Sequence, residues 1–124
     1  AYCFADVKGY SKFGSYTGNG NADGPFVYTG FKPAFIITKR TDSATGSYWV
    51  MYDNKRDTFN PLDRYLYAYS NTDENTGTNL DFLSNGFKPT VSNVIHNASG
   101  ATYIYMSFAE NPFVTSTGVP NNSR

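Results

Sequence analysis

Three observations predict an all-β fold of antiparallel strands for this chain. Its apolar content is aromatic, with 11 Tyr and 10 Phe against two Met and one Trp in 124 residues. The stretches between apolar segments are crowded with Asn, Thr, Ser and Gly. Aromatic and β-branched side chains fit a pleated surface, and the separators accept tight turns. Finally, no segment repeats its apolar residues at helical spacing. The length fits a single domain, 1–124, with one core and no room for a second.

Read in order, the chain offers roughly seven to nine strands. Residues 2–7, Tyr-Cys-Phe-Ala-Asp-Val, read as the first. The chain opens there at Ala1 without an initiating Met, so a fragment or processed end of a longer protein is expected. The glycine-rich stretch 9–24 reads as a strand followed by a turn. Phe26-Val27-Tyr28 leads to Gly30, and residues 34–40 form a central strand in which Phe35, Ile36 and Ile37 are apolar on both faces. A hairpin loop at 41–47 returns the chain through 48–53. That loop is too short for a crossover helix, so the two strands are antiparallel.

After a turn at 54–61, residues 64–70 alternate strictly and put Tyr65, Tyr67 and Tyr69 on one face. Residues 71–79 are polar and read as an exposed loop. Residues 80–84 end at Asn85-Gly86, a hairpin signal because both residues accept positive φ, and 87–94 pairs back. In the last strand, 102–108, Tyr103, Tyr105 and Ser107 alternate with Ile104, Met106 and Phe108. A period of two leaves no face for water there, which places this strand in the middle of a packed sheet. The polar tail 114–124 reads as a finished C-terminus. Gly30-Phe31-Lys32-Pro33 recurs as Gly86-Phe87-Lys88-Pro89, which reads as similar bends at equivalent points of two sheets.

A net charge of zero and a pI near 6.8 argue against nucleic acid as a partner, since phosphate binding needs a surplus of Lys and Arg. The basic pairs Lys39-Arg40 and Lys55-Arg56 are each followed within two residues by Asp42 or Asp57 and read as solvated turns. No window approaches the roughly 20 apolar residues that span a bilayer, so no membrane insertion is expected. Cys3, lying between Tyr2 and Phe4, is expected to be a small buried hydrophobe.

The chemistry-bearing residues form no catalytic pattern. Residues 19–24, Asn-Gly-Asn-Ala-Asp-Gly, mimic the first half of a calcium loop, but Gly30 stands at the twelfth position, where a bidentate Glu is required. A β-turn is the better reading, and no metal or cofactor is expected. Asp53 and Asp81 read as strand-end residues capping turns. His96, with Asn93 and Asn97 but no nucleophile nearby, reads as a surface side chain. Trp49 is expected in the core. The row Tyr65, Tyr67, Tyr69 has three readings: a platform for stacking sugar rings, an oligomer interface, or the inner face of the sheet. As a platform it would draw hydrogen bonds from Arg64, Asp63 and Asn71 at its edge, with Asp73 and Asn75 in the polar loop beyond.

Three segments carry a resemblance: 9–20 with 23–33, 81–88, and 103–113, the last reading Tyr-Ile-Tyr-Met-Ser-Phe-Ala-Glu-Asn-Pro-Phe. Together they resemble a C-terminal virion domain of uncharacterised function in tail-fibre and related structural proteins of tailed bacteriophages, often beside concanavalin-like lectin domains. That resemblance implies an antiparallel β-sandwich of jelly-roll or lectin-like type, displayed on a virion and homotrimeric within a fibre. It carries over no catalytic residue.

The expected function is therefore a non-catalytic tail-fibre tip module that recognises a host cell-surface glycan or protein during adsorption. The alternatives are a structural virion protein, either capsid decoration or trimerising fibre cap, and a glycan depolymerase. A binder predicts exposed aromatics beside Asn and Asp, a cap predicts buried tyrosines, and a depolymerase predicts two carboxylates facing each other in a groove.

Overall fold

A computed structural model describes the chain at residue 1 and residues 3–110. The Asn-Pro-Phe end of the last signature and the polar tail 114–124 lie outside the described residues, as does Tyr2.

Eight strands follow one another without a helix among the described residues: β1 (Ser11–Thr17), β2 (Val27–Tyr28), β3 (Pro33–Arg40), β4 (Val50–Asp53), β5 (Leu62–Tyr67), β6 (Asn75–Leu83), β7 (Gly86–Pro89) and β8 (Thr102–Ala109). They form one antiparallel sheet in the order β1-β8-β3-β4-β5-β6-β7-β2. β5 is its corner. Leu66 and Tyr67 pair with β4, while Leu62, Arg64 and Tyr65 pair with β6. The sheet folds over on itself at that strand until it is nearly closed and barrel-like, and Tyr16 of β1 meets Phe87 of β7 edge-on at 5.8 Å. The two halves thus pack face to face as in a sandwich.

Ile36, Val50, Tyr52, Tyr103 and Tyr105 of the first half meet Val27, Leu62, Leu80, Phe82 and Phe87 of the second. Tyr16 stacks on Tyr103 at 5.0 Å, and Phe87 sits edge-on to Tyr105 at 5.2 Å. Burying a side chain as large as Phe87 contributes about 2–3 kcal/mol. Two bulges keep this face apolar. Leu62 and Tyr65 both turn inward although they are three apart, and so do Pro33 and Ile36, so each strand slips its register once.

Several expectations change here. Residues 3–7 form no strand; their one bridge joins Val7 to Ser11. They run over the outside of the sheet, with Phe4 stacked on Phe13 at 5.5 Å and Asp6 held by Lys12 and the Phe13 N–H. Cys3 is consequently exposed, not buried. β8 is central, between β1 and β3, but only its Tyr103, Tyr105 and Ser107 face is sealed. Ile104 on the other face is 37% exposed because nothing among the described residues covers the outer side of the sheet there.

The segment read as a loop at 71–79 is strand from Asn75 onward, because Asn75 and Thr76 supply the ladder partners of Tyr65 and Arg64. β7 stops at Pro89, which has no N–H to extend the ladder, so 90–94 is not strand. Trp49 is half-buried, with the Lys39 ammonium 5.0 Å from its ring centroid.

The hairpin at Asn85-Gly86 exists, but for another reason. Ser84 and Asn85 make the connection, and neither Asn85 nor Gly86 has positive φ. Glycine is required at 86 because a Cβ there would lie 2.1 Å from the Val27 carbonyl oxygen, where β2 presses onto β7. The two Gly-Phe-Lys-Pro phrases are not equivalent either. Gly30 makes a bend at φ 82° ahead of β3, whereas Gly86–Pro89 is itself a strand.

Candidate functional site

The tyrosine row runs from the core to the surface along β5. Tyr65 lies 5.6 Å from Tyr52 and 5.5 Å from Tyr67. Tyr67 lies 5.4 Å from both Tyr69 and Tyr48, and Tyr48 stacks on Tyr69 at 5.5 Å with 15° between planes. Tyr65 and Tyr67 are half-buried against the core, whereas Tyr69, just past the end of β5, is 56% exposed. Burial is the main reason the Tyr67 hydroxyl is held well above its ordinary pKa, and the neighbouring Tyr65 hydroxyl adds to it. The ladder therefore ends in an exposed two-ring shelf, Tyr48 and Tyr69. Tyr48 was not legible as a partner, since it precedes β4 and reaches Tyr69 only through the fold.

The other candidates divide. Arg64 alternates with Tyr65 and takes the opposite face, where its Nε lies 3.9 Å from Asp57 and 3.8 Å from Glu74. Asp63 is exposed, and its backbone N–H donates to Asp57 Oδ2 at 2.7 Å. Asn71 and Asp73 are exposed in the connection that directly follows the shelf, and Asn75 Nδ2 donates to the Asp73 carbonyl at 3.2 Å. Asn71 and Asp73 thus lie in the connection that follows the shelf, and Arg64 joins an ion network outside β5 that Asp63 meets only through its backbone N–H. Arg56 completes that network, pairing with Glu74 and with Asp53 at 3.4 Å.

The turn 91–101 plugs the same end of the fold. His96, expected at the surface, is 1% exposed because Asn93 Oδ1 accepts the Ile95 and His96 N–H groups and folds the turn inward. The Tyr16 hydroxyl donates to the His96 carbonyl at 2.9 Å, and the Tyr52 hydroxyl lies 2.9 Å from Nε2. Nδ1 has no partner among the described residues. A proton on Nε2, donated to Tyr52, leaves only a lone pair unpaired there and no N–H. Burial lowers the His96 pKa to about 3, so the imidazole is neutral near pH 7.

Asn97 is the centre of the plug. Its Oδ1 accepts the Asn19 N–H at 2.8 Å, and its Nδ2 donates to Asn19 Oδ1, Asn21 O and Val91 O at 2.9, 2.6 and 3.0 Å. Asn19 and Asn21 also cap their own turn through the N–H groups of Asn21 and Asp23. In the calcium-like stretch the Asn19 and Asn21 side-chain oxygens therefore already accept N–H groups, and Asp23 pairs with Lys88.

A second concavity, a cleft of about 350 Å³, lies at the opposite end of β5. Leu62 and Phe82 line it, and Asn60 fixes it by donating to the Phe82 carbonyl at 2.7 Å and accepting the Phe82 N–H at 2.9 Å. Phe59, also lining it, is 84% exposed. An aromatic inside the polar turn 54–61 was the sequence signal for this site. Asp57 and Glu110 both line the cleft and are both engaged, Asp57 by backbone N–H groups and Glu110 by Lys32 and Asn54. Asp53 caps a turn, accepting the Lys55 and Arg56 N–H groups. Asp81, by contrast, lies within β6 opposite Lys88, and burial raises its pKa.

A family profile described as a domain of unknown function, DUF7483, matches residues 1–112. The chain belongs to this family. No curated protein and no solved structure matches it. In this DUF7483 domain the matched span takes in all eight strands, the tyrosine shelf, the plug and the cleft.

Proposed function

We propose that this domain is a non-catalytic receptor-recognition module of a bacteriophage tail fibre, binding a bacterial surface glycan or outer-membrane component during adsorption. The virion setting rests on the sequence resemblance. The observation that carries the binding role is the exposed shelf of Tyr48 on Tyr69, anchored through Tyr67 and Tyr65 to the core and followed by the polar connection of Asn71 and Asp73. Rigid aromatic rings stack on the apolar face of a sugar while flanking amides and carboxylates hydrogen-bond its hydroxyls. Single-site affinity at so shallow a surface is weak, and several copies per virion convert it into firm attachment.

The test is capture of bacterial surface polysaccharides by the domain displayed at high density on a sensor. Tyr69→Ala is expected to weaken capture roughly tenfold, the equivalent of losing one stacked ring. Because Tyr69 is exposed, the same change shifts stability by less than about 1 kcal/mol. Undiminished capture by that variant would remove the shelf from the reading.

A structural role, as trimerising fibre cap or capsid decoration, is the second reading. It is favoured by the outer face of β1, β8 and β3, which leaves Phe4, Tyr10 and Ile104 exposed. Light scattering bears on the trimerising cap alone: it requires a particle of three chains, whereas a monomer of 13.8 kDa leaves capsid decoration as the structural form of this reading.

A further inference from the structure

We propose that the cleft beside Phe59 is a second binding site, distinct from the tyrosine shelf, and that it takes a saccharide bearing a carboxylate, of the uronic acid class. The inference rests on the reading above only in taking the ligand to be a surface sugar. The charges in the cleft narrow its chemistry. Glu110 is satisfied by Lys32 Nζ at 3.0 Å and Asn54 Nδ2 at 3.0 Å. Asp57 Oδ2 accepts the N–H groups of Asp63 and Arg64 at 2.7 and 2.5 Å, and its Oδ1 faces the Arg64 guanidinium.

With both carboxylates compensated inside the protein, the cleft is no trap for a cation. The Lys55 ammonium has no ion-pair partner among the described residues, so the charge left for a ligand is positive. Beside it, the nearly bare Phe59 ring offers an apolar face to a pyranose, and the Asn54 amide, whose Nδ2 donates to Glu110, has an oxygen that accepts no hydrogen bond among the described residues. The volume of about 350 Å³ falls within the roughly 300–1,000 Å³ range of small-molecule sites. A stacking ring, a free ammonium and an idle amide oxygen match the apolar face, carboxylate and hydroxyls of one uronic acid unit.

The test is an NMR titration of the described domain, within the full 124-residue chain, with a short oligomer of glucuronic acid and a neutral glucan of equal length. The expected result is roughly tenfold tighter binding of the uronate, as for one hydrogen bond to a charged group. Phe59→Ala weakens both ligands. Lys55→Gln brings the uronate to the level of the glucan and leaves the glucan unchanged. Both side chains are exposed, so both variants stay folded. Equal affinity for the two oligomers, indifference to Lys55→Gln, or no binding of either overturns the proposal. Tyr69→Ala separates the two sites. If it abolishes uronate binding while Phe59→Ala does not, the sugar sits on the shelf and the cleft is overturned; if capture of whole polysaccharide survives Tyr69→Ala while the cleft responds as expected, only the shelf falls.

Discussion

Asn97→Ala is expected to lower the unfolding free energy by about 3–5 kcal/mol, a large share of what a domain of this size possesses. The side chain is fully buried and ties its own turn, at Val91, to the distant turn of Asn19 and Asn21. Its removal leaves the Asn19 N–H and the carbonyls of Asn21 and Val91 without the buried side chain that they share, and each group left unmet costs about 1–3 kcal/mol. Asn97→Asp keeps the shape but turns the donor into a second acceptor facing three oxygens, so it is expected to cost more than alanine. Urea denaturation checks both variants. A loss below about 1 kcal/mol for alanine would show that the turn relaxes to satisfy itself. The effect reaches the proposed binding shelf, because Ile95 of the same turn packs against the core together with Tyr65 and Tyr67.

Acidification is expected to destabilise the fold well before its carboxylates are protonated. Burial holds the folded-state pKa of His96 near 3, below the ordinary 6.5 of an unfolded chain. For a group depressed in this way the stabilising contribution is complete above the unfolded pKa and is lost as pH falls toward the folded one. Between pH 6.5 and 4.5 the unfolded chain takes up a proton that the native chain refuses, and stability drops by about 2 kcal/mol. His96 is the one histidine in the sequence and the group whose ordinary pKa lies in that window, while Asp81, its carboxyl raised by burial, acts in the opposite sense as pH falls. Chemical denaturation at stepped pH measures it, with His96→Leu as the reference. The variant loses the bond to Tyr52 and is less stable at pH 7, but it is expected to lose the fall in stability that His96 imposes across the window. A parallel slope in wild type and variant would place the proton elsewhere.

The strands were legible where aromatic and β-branched runs stand between turn residues, as in β3, β4 and β8, whereas the polar first half of β6 read as loop. The register slips at Leu62 and Pro33 were visible only as breaks in period-two spacing, and the sequence does not say which way a strand will slip. The plug was illegible for a stronger reason. His96 and Asn97 are polar residues in a turn, and polar turns normally face water. They are buried because Asn93 bends the turn inward and distant backbone groups meet their hydrogen bonds, which is information held in tertiary contacts alone. The tyrosine row was correctly read as one face, but its graded exposure depends on where β6 ends beside β5, since Asn75 pairs with Tyr65 and no ladder continues beyond it. The Asn85-Gly86 hairpin shows a right position reached through the wrong cause: the glycine answers a close approach by β2, not a turn conformation.

The place of β8 between β1 and β3 bears on the order of assembly. β1 and β3 belong to the same half of the sheet, yet they touch each other only through a strand more than 60 residues downstream of β3. As the chain emerges during synthesis, β1 has no ladder partner and β3 has only β4 until Thr102–Ala109 is made. Most of the joining contacts are therefore distant in sequence, a topology that folds in milliseconds to seconds and not in microseconds. Through that interval two unpaired strand edges flank an empty slot, which makes the nascent chain a substrate for chaperones or for pairing with its neighbours.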